Sequence, residues 1–262
     1  MADLIRSPLL VFAISLIAFL SSTAAGAAFF RNRENLDNKL SDGYNIILGA
    51  TLTFLSLIVG FSFSMAVGRY DQRKLYEEAE ANAIGTEYVR VDLLPAADSA
   101  RIHTLLKAYI DQRVLFYVAK DENRIQSINA RTGELQNDLW SAVKIPAAAQ
   151  PTPIMALSVS GMNDVLNSQS YTQAAWWNRI PIAAWALMAA IGIVSNILVG
   201  YGTRQLKPRY MLPFVVPAIM SISFFLISDI DSPRGGIIHV VPQNLLSLAE
   251  SLHVQPEVKE NN

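Results

Sequence analysis

Residues 44–94 read YNIILGATLTFLSLIVGFSFSMAVGRYDQRKLYEEAEANAIGTEYVRVDLL, and the fold turns on whether this stretch is one element or two. Between Ile46 and Val67 the only polar side chains are Thr51, Thr53, Ser56, Ser62 and Ser64. That gives the roughly 20 apolar residues a helix needs to cross a bilayer core about 30 Å thick. No proline interrupts residues 68–94, which set Arg73 four before Glu77 and Lys74 four before Glu78, and repeat Leu75, Ala79, Ala83 and Thr86 at helical spacing. The membrane helix is therefore expected to run on well past the bilayer. Pro95 stops it, because the residue before a proline resists the helical region.

Small residues recur along one face of this helix as Gly49, Thr53, Ser56, Gly60, Ser64 and Gly68, a spacing of three or four that keeps them aligned. One reading is close helix packing of the small-xxx-small kind. The other is a pore face, where hydroxyls and glycines meet ions or water while Leu57, Phe61 and Phe63 narrow the path. On the second reading the pore-lining candidates are Thr53, Ser56, Leu57, Gly60, Phe61, Ser64 and Gly68.

The rest of the 262-residue chain fits a small polytopic membrane protein. It is 52% hydrophobic with a mean hydropathy of +0.27, too apolar for an ordinary soluble domain. Residues 1–68 form a first transmembrane pair, with spans at about 9–30 and 45–68. The first run starts like a secretory signal, with Ala25-Gly26-Ala27 as a small-residue cleavage pattern, yet stays apolar to Phe30 before meeting Arg31 and Arg33, so it is expected to be retained. The polar stretch 31–42 is a loop between the two helices. Residues 69–178 make a helical extramembrane domain continuing the second helix: one helix capped by Asp98 and running to about Lys120, packed on the stalk, another over 122–144 ended by Pro146, Pro151 and Pro153, and a third over about 154–172. Residues 179–228 form a second transmembrane pair, about 180–201 and 210–228, introduced by Trp176 and Trp177 as interface anchors. Asn196 falls inside the third span, where an amide finds a neighbouring helix, and Pro213 and Pro217 imply a bent or broken fourth one. Residues 229–262 hold a Pro-Gly turn, a short amphipathic segment near 242–252 and a loose tail.

The expected architecture is thus an all-α membrane protein, four transmembrane helices with a helical soluble domain inserted between the second and third. Its partners are the lipid bilayer, inorganic ions and further copies of itself. The net charge of −1 and dispersed Lys and Arg residues argue against nucleic acid. There is no cysteine, hence no thiolate nucleophile or Cys-based metal site. His103, His239 and His253 lie far apart, and no phosphate loop, HExxH pattern or nucleophile elbow occurs. Neither a cofactor nor an enzymatic activity is expected. Charges do gather at helix ends: Arg69, Asp71 and Arg73 after the second span, Asp229 and Asp231 after the fourth. They form either an Arg–Asp network joining the two helices or a vestibule that concentrates ions.

Two stretches carry a resemblance. FLSLIVGFSFSMAVGRYDQRK (54–74) followed by EEAEANAIGTEYVRVDLLP (77–95), together with DIDSPRGGIIHV (229–240), resemble the bestrophin-like domain family of bacterial and plant membrane proteins, itself distantly similar to bestrophin chloride channels. The resemblance implies a homo-oligomeric ion channel in the cell membrane, multi-pass, in a bacterium the inner membrane, with the second helix around the pore and anions as the conducted species. In animal bestrophins an acidic cluster after the fourth span takes part in calcium binding; Asp229 and Asp231 stand in that order, but two carboxylates fall short of the six to eight oxygens calcium takes. A non-conducting scaffold or sensor that binds a partner through its helical domain is the alternative, and a small secondary transporter the next. Orientation stays open: Arg31, Arg33, Lys39, Arg204, Lys207 and Arg209 in the short loops pull one way under the positive-inside rule, while Arg69, Arg73, Lys74, Arg179 and Arg234 pull the other.

Overall fold

The computed structural model describes residues 7–29, 38–203 and 211–254. The basic loop residues of 31–37 and 204–210 and the tail from 255 onward lie outside the described residues. Among the described residues, eight α-helices follow in order: α1 Pro8–Phe29, α2 Asn38–Arg90, a 3-10 turn Val91–Leu93, α3 Ala96–Val118, α4 Glu122–Ala149, α5 Pro153–Trp177, α6 Ile182–Thr203, α7 Leu212–Asp231 and α8 Gln243–Val254. Four stretches among the described residues, in α1, α2, α6 and α7, are long and apolar enough to cross a membrane. The chain divides into two compact units. One draws on the residues up to Tyr70 and on Arg179–His239, the other on Asp71–Asn178 and the residues from Val240.

In the first unit α1 packs on α6 and α7, and three glycines set how closely. A Cβ at Gly26 would run into the Ile197 carbonyl, one at Gly200 into the Thr23 carbonyl and to 2.9 Å from the Ala27 amide, and one at Gly192 to 2.7 Å from the Phe19 ring. Backbone thus meets backbone, the packing that small residues permit between apolar helices. Asn196, fully buried between these glycines, donates to the Gly192 carbonyl at 2.8 Å and to Met220 Sδ at 3.1 Å and accepts from Thr23 at 3.3 Å. Phe19, Trp185, Met188, Phe224 and Ile227 fill the space around it.

The second unit packs α3 against α4, α4 against α5 and α8 against α3. Its core is aliphatic at Ile84, Ile102, Leu106, Leu135, Leu139 and Met162, yet charged groups are buried in it. Glu80 of α2 takes both Nε and Nη2 of Arg113 from α3 and the Thr172 hydroxyl from α5 at 3.0 Å. Burial drags the Arg113 guanidinium down, but the Glu80 carboxylate together with the Tyr109 and Tyr117 phenols raises it above its ordinary value. Burial pushes the Tyr109 and Tyr117 phenols up, with Glu80 adding to each. Glu77 receives the Leu245 amide at 2.9 Å and the Asn244 side chain at 2.7 Å, placing a carboxylate on the first turn of α8, where the helix dipole favours it.

Several boundaries differ from the expectations. α2 begins at Asn38, inside the stretch read as loop. It turns inward not Leu75, Ala79 and Thr86, which are exposed, but Arg73, Glu77, Glu80, Ile84 and Glu87; Glu77 and Glu80 find their donors inside. α3 starts at Ala96 with Pro95 at its N-cap, leaving Asp98 in the first turn. α4 passes through Pro146 to Ala149; the proline falls in the last turn, where the ladder is ending. α5 runs on to Trp177, and Trp176 is buried beside Phe116 and Tyr117 while Trp177 alone is exposed. α7 is one helix despite its prolines: Pro213 occupies the first turn, where an amide would lack an intrahelical partner in any case, while Pro217 stands inside the helix without ending it. It extends to Asp231, past the boundary expected at 228, and ends where Pro233 denies Ser232 the helical region.

Two substitutions test this packing. Gly200→Val should destabilise the detergent-solubilised protein by at least about 1–3 kcal/mol in thermal unfolding, whereas Gly60→Ala should be silent within the protomer. Arg113→Met, which strands a buried carboxylate, should cost roughly 3–5 kcal/mol in the same assay.

Candidate functional site

α2 is the least covered of the four apolar helices: 11% of its apolar window is buried within the chain, against 44% for α7. Leu55, Ser62 and Ala66 face inward. Thr53, Ser56, Leu57, Gly60, Phe61, Ser64 and Gly68 lie off that inward face and are all exposed, and at 100° per residue the small and hydroxyl positions centre on the side opposite those three. Cβ atoms added at Gly49, Gly60 and Gly68 would meet nothing within 4 Å. Among the described residues the stripe therefore serves no packing. Leu57 and Phe61, 53% and 64% exposed, flank it on one side as bulky neighbours. The Ser56 hydroxyl donates to the Leu52 carbonyl at 2.9 Å, which keeps its lone pairs turned outward.

Beside this face an open apolar groove of about 410 Å³ lies between α2 and α6, lined by Ala50, Thr51, Phe54, Ala190, Ile191 and Val194. Its one hydroxyl, on Thr51, is occupied by the Ile47 carbonyl at 2.7 Å, so the groove offers an ion little.

The charges at the helix ends separate. Arg69 donates to Asp231 at 3.3 Å, and Asp231 also accepts the Ile180 amide at 3.1 Å, tying the entry of α6 to the end of α7. Asp229 accepts the Ile237 and Ile238 amides at 2.7 and 2.8 Å, closing the Ser232–Gly236 turn back over the helix end; a Cβ at Gly236 would come within 3.0 Å of the Asp229 carboxylate. Both aspartates are 3% exposed or less, Asp229 accepting main-chain amides and Asp231 a main-chain amide and the Arg69 guanidinium. Asp71 and Arg73 belong to the other unit, the first exposed and the second buried. Among the described residues no three His, Asp or Glu side chains gather closely enough to hold a metal ion. His103 bonds the Tyr88 carbonyl at 2.8 Å, His239 the Ile237 carbonyl at 3.1 Å and His253 the Asp111 carboxylate at 3.0 Å.

Sequence reasoning missed the glycine contact of α1 with α6, although Gly192, Asn196 and Gly200 stand four apart, the same signal read in α2. It also missed the inward carboxylates Glu77, Glu80 and Glu87, for which a charged helix face gives no sign of direction.

This helical architecture has known counterparts. The profile of the bestrophin-like domain family matches residues 13–245, and the chain belongs to that family. Among solved structures, a single-substitution variant of a bacterial bestrophin homologue from Klebsiella pneumoniae aligns with a TM-score of 0.65 at 13% identity, covering 94% of this chain and 97% of that one. Another crystal structure of the homologue from that organism aligns at 0.62 and 15% identity, covering 92% and 98%; a second substituted form aligns at 0.64 and 14%, covering 94% and 99%. At these identities the likeness is one of fold. No curated protein matches the chain.

Removing the Asp229 carboxylate tests the closure of the turn. Asp229→Ala should free two main-chain amides and speed tryptic cleavage after Arg234 by about tenfold or more, as read by mass spectrometry of the fragments.

Proposed function

We propose that the chain is the subunit of a homo-oligomeric ion channel in the cell membrane, with the outward face of α2 lining the pore. The observation that carries this reading is the stripe Thr53, Ser56, Gly60, Ser64 and Gly68, left uncovered on the least covered membrane-length helix and opposite its core-facing side. A helix that spans lipid has no reason to turn hydroxyls and glycines toward it, so the stripe calls for other copies of α2 or for water. Copies placed around an axis would bring Leu57 and Phe61 into a narrow apolar ring between wetter levels at Ser56 and Ser64, the arrangement by which pores combine selectivity with gating. Anion preference comes from the kinship with bestrophin chloride channels. Residues 69–178, with α8, would form the extramembrane helical domain between the second and third spans.

The same face would also suit a non-conducting assembly in which the stripe is packing alone. The unbroken α7 removes the broken-helix support for a secondary transporter.

Current across a planar bilayer holding the purified protein, under a KCl gradient, separates these readings. A channel lined by α2 should conduct, and Ser64→Asp should move the reversal potential toward cation preference while the oligomer persists by light scattering. Silence from folded, oligomeric protein, or loss of oligomers in Ser64→Asp with no change in selectivity, would reassign the stripe to packing.

A further inference from the structure

We propose that Glu87 is a proton-dependent latch between α2 and α5, seating α5 when protonated and loosening it when ionised. Glu87 has no solvent exposure, and neither of its carboxyl oxygens has a hydrogen-bond partner. It is pressed onto Gly161 of α5: a Cβ there would collide with Glu87 Oε2 and lie 2.6 Å from Arg90 Nη1. One turn earlier on the same face of α5, the Ser158 hydroxyl is also buried without a partner. An ionised carboxylate left unpaired in such a place is very costly, whereas a neutral carboxylic acid costs only what a polar group does. Glu80 and Glu77 show the contrast, each buried but met by several donors.

The charged groups acting on Glu87 are Arg90 from its own helix and Asp164 from α5. α3 turns His103 to Tyr88 and Asp92 instead, and α8 meets this part of α2 through Leu248 at Gly85. Burial pushes the Glu87 carboxyl up to about 8 from an ordinary 4.5, with Arg90 opposing and Asp164 adding to the rise. The packed state thus binds the proton more tightly than the opened one. Its advantage is complete below the ordinary value and is lost as pH climbs toward the raised one, opening becoming about tenfold easier for each pH unit between.

Hydrogen exchange of the full-length protein in detergent, at pH 6 and pH 8 and corrected for intrinsic rates, reads the opening of α5 around Gly161. On the order of a 100-fold rise in opening is expected for the wild type, and a flat response for Glu87→Gln. A flat wild type, or a folded Glu87→Gln that keeps the wild-type dependence, would overturn the latch. Should Glu87→Gln not fold, infrared titration of the protonated carboxyl band in the wild type gives the midpoint directly. Asp164→Asn should lower that midpoint and Arg90→Gln should raise it, and a midpoint indifferent to both would falsify the assignment. Neither readout needs an ion current.

Discussion

The pairing of Glu80 with Arg113 fixes which side of the charged half of α2 turns inward. α2 is one helix of 53 residues, and in its charged half the buried positions Arg73, Glu77, Glu80, Ala81, Ile84, Glu87 and Tyr88 fall on one face of an α-helix. Apolar contact alone could tolerate some rotation. A buried ion pair with a third bond from Thr172 cannot, because turning the helix would strand a charge.

Acidic side chains do an unusual share of the structural work. Asp229 and Asp231 hold main-chain amides at the end of α7, and Glu77 holds donors at the start of α8, so three carboxylates act as caps between elements rather than as open charges. A carboxylate accepting backbone amides is well satisfied without a cation, which explains how DIDSPRGG can be so polar and yet fold inward. Gly236 completes the device by letting the returning chain approach Asp229 more closely than a side chain would allow.

The number and order of the membrane-length helices were legible because hydropathy over about 20 residues is a strong signal. The continuity of α2 was legible because no proline breaks it. Which way its charged half faces was not: Arg73–Glu77 and Lys74–Glu78 are both four-residue pairs, and nothing local distinguishes the buried one from the exposed one. Arg113, thirty-three residues from Glu80, makes that distinction, and long-range pairing leaves no periodic trace. Small-residue stripes were equally ambiguous. The one in α2 and the one in α6 share a spacing, yet a side chain at Gly200 would strike the backbone of α1 while one at Gly60 would touch nothing, a difference set by the partner and not by the stripe.

The dependence of Glu77 on α8 has a consequence for how the protein is made. The second unit is discontinuous in the chain, its last helix arriving only after α6 and α7 have been synthesised. While the ribosome works through those two apolar helices, α2 to α5 are already present, but the amides of Asn244 and Leu245 that satisfy Glu77 do not yet exist. The unit therefore lacks α8 throughout that interval and is completed late, with a wait set by translation rather than by the folding rate of its own helices.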